Sequence, residues 1–201
     1  MGFGRIVTLS RVAPLRLAGW TFLLFSLVGC QSNAPGMGDR LVAHAALIDF
    51  AGLQPTADIP DLAVSAGIPD DWDPLPTTSN PLFTHRQWRS PSHAVGVGVA
   101  HVNLVLPISA KSLIWLAKSQ YRKQAEKSGA HLVDQWTDNL GREWFEGEND
   151  KYHVRGYAVT SGFDAWIVYT GYRRFGTPHL TEVSLAIRSM ESVVPTPMTQ
   201  K

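Results

Sequence analysis

The feature that most constrains this chain is a succession of four short, apolar-rich stretches in its second half, joined by two-residue turn signals. His131 to Thr137, Gly141 to Glu148, Tyr152 to Thr160 and Phe163 to Tyr172 each have strand length, and the joints are Asp138-Asn139, Asn149-Asp150 and Ser161-Gly162. Successive strands joined this tightly pair antiparallel. The stretch Phe163-Asp164-Ala165-Trp166-Ile167-Val168-Tyr169 is nearly all apolar, which predicts a central strand.

The first half supplies the rest of a sheet and a helix. Ile68-Pro69-Asp70-Asp71-Trp72 reads as the entry to a first short strand, followed by a loop from Pro74 to Pro81. Leu82 to Arg89 reads as a second strand with Trp88 inward. Ala94 to Leu106 alternates Val with small or polar residues, a strand of period two. Gly96 and Gly98 fall on one face of it, so something bulky crosses there, and the following helix is the expected occupant. Ser109 caps that helix, which runs to about Ser128 with Leu113, Leu116, Ala117, Gln120, Tyr121 and Gln124 as its inner stripe. After Pro178, Leu180 to Val193 carries Val183, Ala186, Ile187 and Met190 at helical spacing, and Pro195 onward reads as a polar tail. Strands, helix, antiparallel strands, helix is an α+β pattern, an antiparallel β-sheet with helices packed on it. With 201 residues, 44% hydrophobic and 17% charged, the chain suits one packed domain with appendages.

The appendage lies at the start. Arg5, Arg11 and Arg16 precede the apolar run Leu17 to Ser26, and Leu27-Val28-Gly29-Cys30 follows. Charge, then a short apolar run, then small residues is the order of a secretory signal, and the tetrapeptide resembles the lipobox of bacterial lipoproteins. That resemblance implies diacylglycerol and palmitate on Cys30, cleavage before it, and a membrane held through lipid on a new N-terminus. Two or three acyl chains anchor stably where one holds marginally. Gln31, rather than Asp, follows the cysteine, a pattern that in enterobacterial lipoproteins favours the outer membrane. The chain therefore divides into a signal peptide (1–29), a lipidated N-terminus and flexible spacer (30–65), a globular domain (66–195) and a tail (196–201). With the single cysteine lipidated, no thiol remains for a disulfide, a nucleophile or a cysteine zinc site. Without the three leading arginines, 15 basic residues face 17 acidic ones, so no electrostatic case for nucleic acid exists.

The element order, the Ile68-to-Trp72 entry, the run from Gly141-Arg142-Glu143-Trp144-Phe145 to Tyr157 and the closing Ile187-Arg188-Ser189-Met190 together resemble the Mog1/PsbP-like fold over about residues 65 to 195. The resemblance implies an α/β/α sandwich that serves as a binding or assembly module, with function set by its surface rather than its fold.

No catalytic constellation is expected. The chain has no Gly-x-Ser-x-Gly elbow, and Gly96-Val97-Gly98 lacks the third glycine and helix of a phosphate loop. His85, His93 and His101 recur every eight residues, not at the spacing of a helical metal site. His153 with Glu146 and Glu148 across a hairpin is a possible ligand set, but an exposed polar face is the preferred reading, so no metal is assigned. Asp70-Asp71-Trp72-Asp73 reads as a solvated turn. Lys111, Lys118, Arg122, Lys123 and Lys127 form a basic helix side opposed by Glu126 alone, a candidate binding surface for anionic headgroups or an acidic partner. Trp88, Trp136, Trp144 and Trp166 are assigned to the core or the gap between helix and sheet, with a sugar-binding aromatic platform as the alternative. The expectation is a non-enzymatic envelope lipoprotein without cofactor that binds a partner protein; the alternative is a carrier of a small molecule or lipid in a helix–sheet cleft.

Overall fold

A computed structural model describes residues 56–116, 131–174 and 179–196. The described chain begins with a small hairpin, β1 (Ala57–Ile59) and β2 (Val64–Ala66), closed by a 3-10 turn at Pro60–Leu62. Short strands β3 (Asp73–Pro74) and β4 (Thr78–Asn80) lead to β5 (Phe83–Arg89) and β6 (Val95–Asn103). Helix α1 starts at residue 110 and is described to residue 116. Four strands follow, β7 (His131–Thr137), β8 (Glu143–Glu148), β9 (Tyr152–Ser161) and β10 (Asp164–Arg173), then α2 (Leu180–Ser192) and β11 (Val194–Pro195).

The large sheet has the order β3-β5-β6-β10-β9-β8-β7, with β4 also pairing β5, and its pairs are antiparallel. The turn residues explain the hairpins. Asp138 Oδ1 accepts from the backbone N–H groups of Leu140 and Arg142 while Gly141 takes φ +74°. Asn149 Oδ1 does the same for Lys151 and Tyr152, and Gly162 sits at φ +60°. Each side chain replaces backbone partners that the turning chain has left behind.

The period-two alternation divides the sheet into two apolar faces. On one, Val95, Val97 and Val99 of β6 and Trp166, Val168 and Tyr172 of β10 pack beneath Val183, Ala186, Ile187 and Met190 of α2. On the other, Ala100, Val102, Ala158, Ala165, Ile167 and Tyr169 pack with Leu113 and Ile114 of α1. Helices on both sides of an antiparallel sheet make an α+β, α/β/α sandwich with β10 at its centre, the class and the central strand that the sequence pattern predicts. Ser109 caps α1 as expected, its Oγ accepting from Ser112 N–H at 3.1 Å.

Five expectations need correction. The spacer was expected to last to residue 65, but Leu62 and Val64 are fully buried against α2 and the sheet, so ordered structure begins by Ala57. Ile68 to Trp72 does lead into a short strand, β3, but the stretch from Pro74 to Pro81 is not all loop, since Thr78–Asn80 forms β4 and pairs with β5. In α1 the inward residue beside Leu113 is Ile114; Leu116 is 40% exposed. Pro195 is not tail, since Val194 and Pro195 pair with β2 in a three-stranded sheet β1-β2-β11. The bulk over Gly98 is the ring of Tyr169 from the neighbouring strand, not the helix backbone.

Candidate functional site

The organised polar surface lies where the sheet extends past α2, on strands β9, β8 and β7. The hairpin register sets Trp136, Trp144 and Tyr157 directly opposite one another on three adjacent strands. Opposite residues on one face of an antiparallel ladder sit within side-chain contact. Trp136 and Trp144 stack with centroids 5.7 Å apart and planes 6° apart, and Tyr157 tilts against Trp144 at 5.1 Å.

Two arginines thread this row. Arg155, opposite Glu146 in the register, holds its guanidinium carbon 5.4 Å from the Trp136 ring and 5.1 Å from the Trp144 ring. Arg142, from the β7–β8 turn, lies 5.1 Å from Trp144 and 4.8 Å from Tyr157. A guanidinium at such distances from an aromatic face is held by the ring quadrupole, and more strongly where water is partly excluded. Carboxylates fix the outer edges. Asp138 Oδ2 accepts from Arg142 Nε at 2.7 Å and from Trp144 Nε1 at 2.8 Å, and Glu146 stands 3.5 Å from Arg155 Nε.

The electrostatics follow from these contacts. Burial pushes the Asp138 carboxyl up, but hydrogen bonds from Trp144, Arg142 and two backbone N–H groups outweigh it and hold the pKa at about 2. Burial raises the Tyr157 phenol to about 12, and its OH donates to Met190 C=O on α2 at 3.0 Å. Asp138 is thus a carboxylate and Tyr157 a neutral phenol across the neutral range. Arg155 and Arg142 retain 28% and 22% side-chain exposure, so the row presents its cationic edge to solvent.

The possible ligand set His153, Glu146 and Glu148 is brought together, but the preferred reading of an exposed polar face fails at His153, and the side chains are otherwise engaged. His153 is buried, stacks on Tyr172 at 5.1 Å, and has Nδ1 3.8 Å from Glu148. Glu148 also meets His131 at 3.1 Å and Arg174 at 3.4 Å, while Glu146 faces Arg155. Among the described residues no group of three or more His, Cys, Asp or Glu side chains is arranged to hold a metal ion. His85 and His101 lie on opposite faces of the sheet. His101 bonds Asp164 at 2.9 Å and stacks on Trp166, while His85 bonds Tyr169 at 2.9 Å beneath α1. Burial lowers His85 to about 4 and raises Tyr169, so the pair is neutral at neutral pH. With Tyr169 lying over Gly98, that part of the helix–sheet space is filled.

Of the basic helix side, Lys111 is exposed on the first turn of α1; Lys118, Arg122, Lys123 and Lys127, like Cys30, lie outside the described residues. Asp70, Asp71 and Asp73 are exposed around buried Trp72. Trp88, Trp144 and Trp166 are buried as assigned, and Trp136 packs on the core while partly exposed. Sequence reading missed Arg142 and Arg155 as partners of the tryptophans. The available signal was register: a turn spanning residues 138–142 makes Trp136 and Trp144 opposite neighbours, and Arg142 then falls beside them.

No family model matches the chain, and no curated protein sequence matches it. The chain is similar in structure to cyanobacterial PsbP from Synechocystis, at a TM-score of 0.49 and 12% identity over 74% of this chain and 95% of that one. It is also similar to LpqN, a Mycobacterium tuberculosis protein involved in cell envelope biogenesis, at a TM-score of 0.40 and 12% identity over 72% of this chain and 87% of that one. A structure from Bacteroides thetaiotaomicron matches at a TM-score of 0.31 and 14% identity, over 70% of this chain and 48% of that one.

Proposed function

We propose that this chain is a lipid-anchored bacterial envelope lipoprotein whose domain is a non-catalytic module for a partner protein, docked on the β7–β9 face. The anchor reading rests on the arginine-led apolar run and Leu27-Val28-Gly29-Cys30, with Gln31 favouring the outer membrane. The observation that carries the docking reading is the partly exposed set of Trp136, Arg155 and Arg142, held in place over the buried rings of Trp144 and Tyr157. Tryptophan, tyrosine and arginine are the side chains that dominate binding energy at protein interfaces, especially when held in place before the partner arrives. Pairing of Arg142 with Asp138 and Arg155 with Glu146 limits the ordering cost.

The test places a photo-crosslinking residue at Glu146 or, as a reference, at Asp150, in the full chain in living cells. The reading expects a discrete adduct from position 146 that is lost when Arg155→Ala is added, and none from 150. Equal adducts from both positions, or an adduct indifferent to Arg155, would remove the face from consideration. Separately, Cys30→Ser should move the protein out of the membrane fraction.

A further inference from the structure

The end of the sandwich at which β5 begins and β6 ends carries a row of exposed apolar tips. The register fixes this end: Phe83 pairs with Val102, Asn103 with Asp164, Asp164 with Ser161, and Ala158 with Glu143. The four connections there are the turns and loops before Phe83, after Asn103, between Thr137 and Glu143, and between Ser161 and Asp164. Each presents a large apolar side chain to solvent: Leu82 is 41% exposed, Val105 69%, Leu106 70%, Leu140 70% and Phe163 43%. Across strands spaced about 4.8 Å apart these tips span roughly 24 Å.

From this geometry we infer that the rim formed by Leu82, Val105, Leu106, Phe163 and Leu140 inserts into the interface of a lipid bilayer. Three observations select a bilayer over a folded partner. The side chains stand on separate loop tips rather than lining a groove, a shape that enters a fluid apolar layer without needing a complementary surface. The acidic groups at this end are already engaged, Asp138 by Arg142 and Trp144 and Asp164 by His101. The Arg142 guanidinium offsets the charge of Asp138, and Lys111 on the first turn of α1 is exposed and cationic.

The chain's own attachment is the third. α2 starts at the opposite end, where Glu182 bonds Ser90 and the Ser92 backbone, and runs away from it. Near its last turn Ser192 meets Gly67, the residue after β2, and Ala57 pairs with Ala66. The described chain therefore enters the domain at β1, on the half that carries the rim. Lipid on Cys30 would thus tether the domain from the half that carries the rim. The last point rests on the lipoprotein reading; the rim itself does not.

The experiment uses the full chain in membranes of the expressing cell, with single cysteines at Leu106, Phe163 and, on the opposite end, Asp150. A fluorescent maleimide is attached, and quenching by nitroxides on lipid acyl chains is compared with quenching by aqueous iodide. Insertion predicts labels at 106 and 163 quenched by acyl-chain nitroxide at least about threefold more than the label at 150, with iodide showing the reverse. Equal quenching at all three positions overturns the inference. Labels at 106 and 163 shielded from both quenchers also overturn it, because another protein, a second copy or residues 31–55 would then cover the rim. Failure of the anchor reading registers separately: the unsubstituted chain would then take up maleimide at Cys30, and purified chain mixed with vesicles of zwitterionic and anionic phospholipid would still report on the rim. In that format Leu106→Ser with Phe163→Ser should weaken vesicle binding about tenfold or more.

Discussion

Gly98→Ala offers the sharpest test of how the second face is packed, and it decides between a filled helix–sheet space and an open cleft. A methyl group at this position would overlap the Tyr169 ring, standing 2.5 Å from both Cε1 and the phenol oxygen. Ordinary contact needs about another 1 Å. The ring has little freedom to supply it, because Tyr169 is 2% exposed, packed with Phe83, Ala100 and Leu113, and tied to His85 through its hydroxyl. Overpacking of this kind costs about 3 kcal/mol, and the smaller unfolded-state entropy of alanine returns well under 1 kcal/mol of it. The expected loss in Tm is about 10 °C for a domain of this size. Chemical and thermal unfolding, followed by circular dichroism in a Cys30→Ser background, would measure it. A double-mutant cycle with Tyr169→Ala sharpens the reasoning. Removing the ring alone costs about 4 kcal/mol, but the alanine methyl then fills part of the hole, so the pair should fall short of additivity by 1 kcal/mol or more. Gly156→Ala is the contrast: its methyl meets the Val168 carbonyl oxygen at 2.5 Å, and no truncation of Tyr169 relieves a clash with backbone. A cost below about 0.5 kcal/mol for Gly98→Ala would refute the packing argument and restore the cleft.

The other predictions concern protons, the tryptophan row and the anchor. His85 is held at about 4 by burial, below its ordinary 6.5, so the unfolded chain binds the extra proton between these values and stability rises with pH across that window. His85→Gln should flatten the pH dependence of the urea midpoint between pH 4 and 6.5. Asp138 works at lower pH: its carboxylate is favoured in the fold, so its contribution is present above about pH 4 and lost as pH falls toward about 2, and Asp138→Asn should remove that acid step. Trp144→Phe keeps the stack but deletes the Nε1 bond to Asp138, for an expected cost of about 1–2 kcal/mol in denaturant unfolding, whereas a neutral result would mean that bond is not formed. Cys30→Ser should shift the protein from membrane pellet to soluble fraction, and unchanged sedimentation would remove the lipid anchor.

The parts of this fold legible in the sequence are those written in local chemistry. Turn residues such as Asp138, Asn149 and Gly162 announce hairpins because their side chains or positive φ satisfy the bend locally. The spacing of Val183, Ala186, Ile187 and Met190 announces a helix, and all four are buried. What escaped depends on contacts far apart in the chain. Leu62 and Val64 precede a proline- and aspartate-rich stretch and lack periodicity, yet Leu62 C=O accepts from Trp166 Nε1 across more than a hundred residues. Nothing near residue 62 records that bond. Likewise Gly98 signalled a close approach, but its partner is fixed by the pairing of β6 with β10, which brings in Tyr169. The candidate site was half visible: the tryptophans stood out as apolar mass, while the arginines became part of the site only through register.

The two surfaces proposed here constrain one another. The apolar rim lies at the strand ends, whereas the Trp136–Arg155 row lies on a sheet face, and these directions are roughly perpendicular. If the rim contacts the bilayer, the strands stand along the membrane normal and the row points sideways, parallel to the membrane. Arg142, in the turn that also carries Leu140, then lies close to the headgroups, and Glu148 and His131 lie toward the far end of strands about 20 Å long. A partner docking on this face must approach within the membrane plane, as another anchored or integral protein does. Detaching the domain by Cys30→Ser should therefore weaken the Glu146 crosslink even though no residue of the row has changed, because a freely diffusing domain loses both orientation and local concentration. Undiminished crosslinking from the released protein would separate the two surfaces and place the partner in solution.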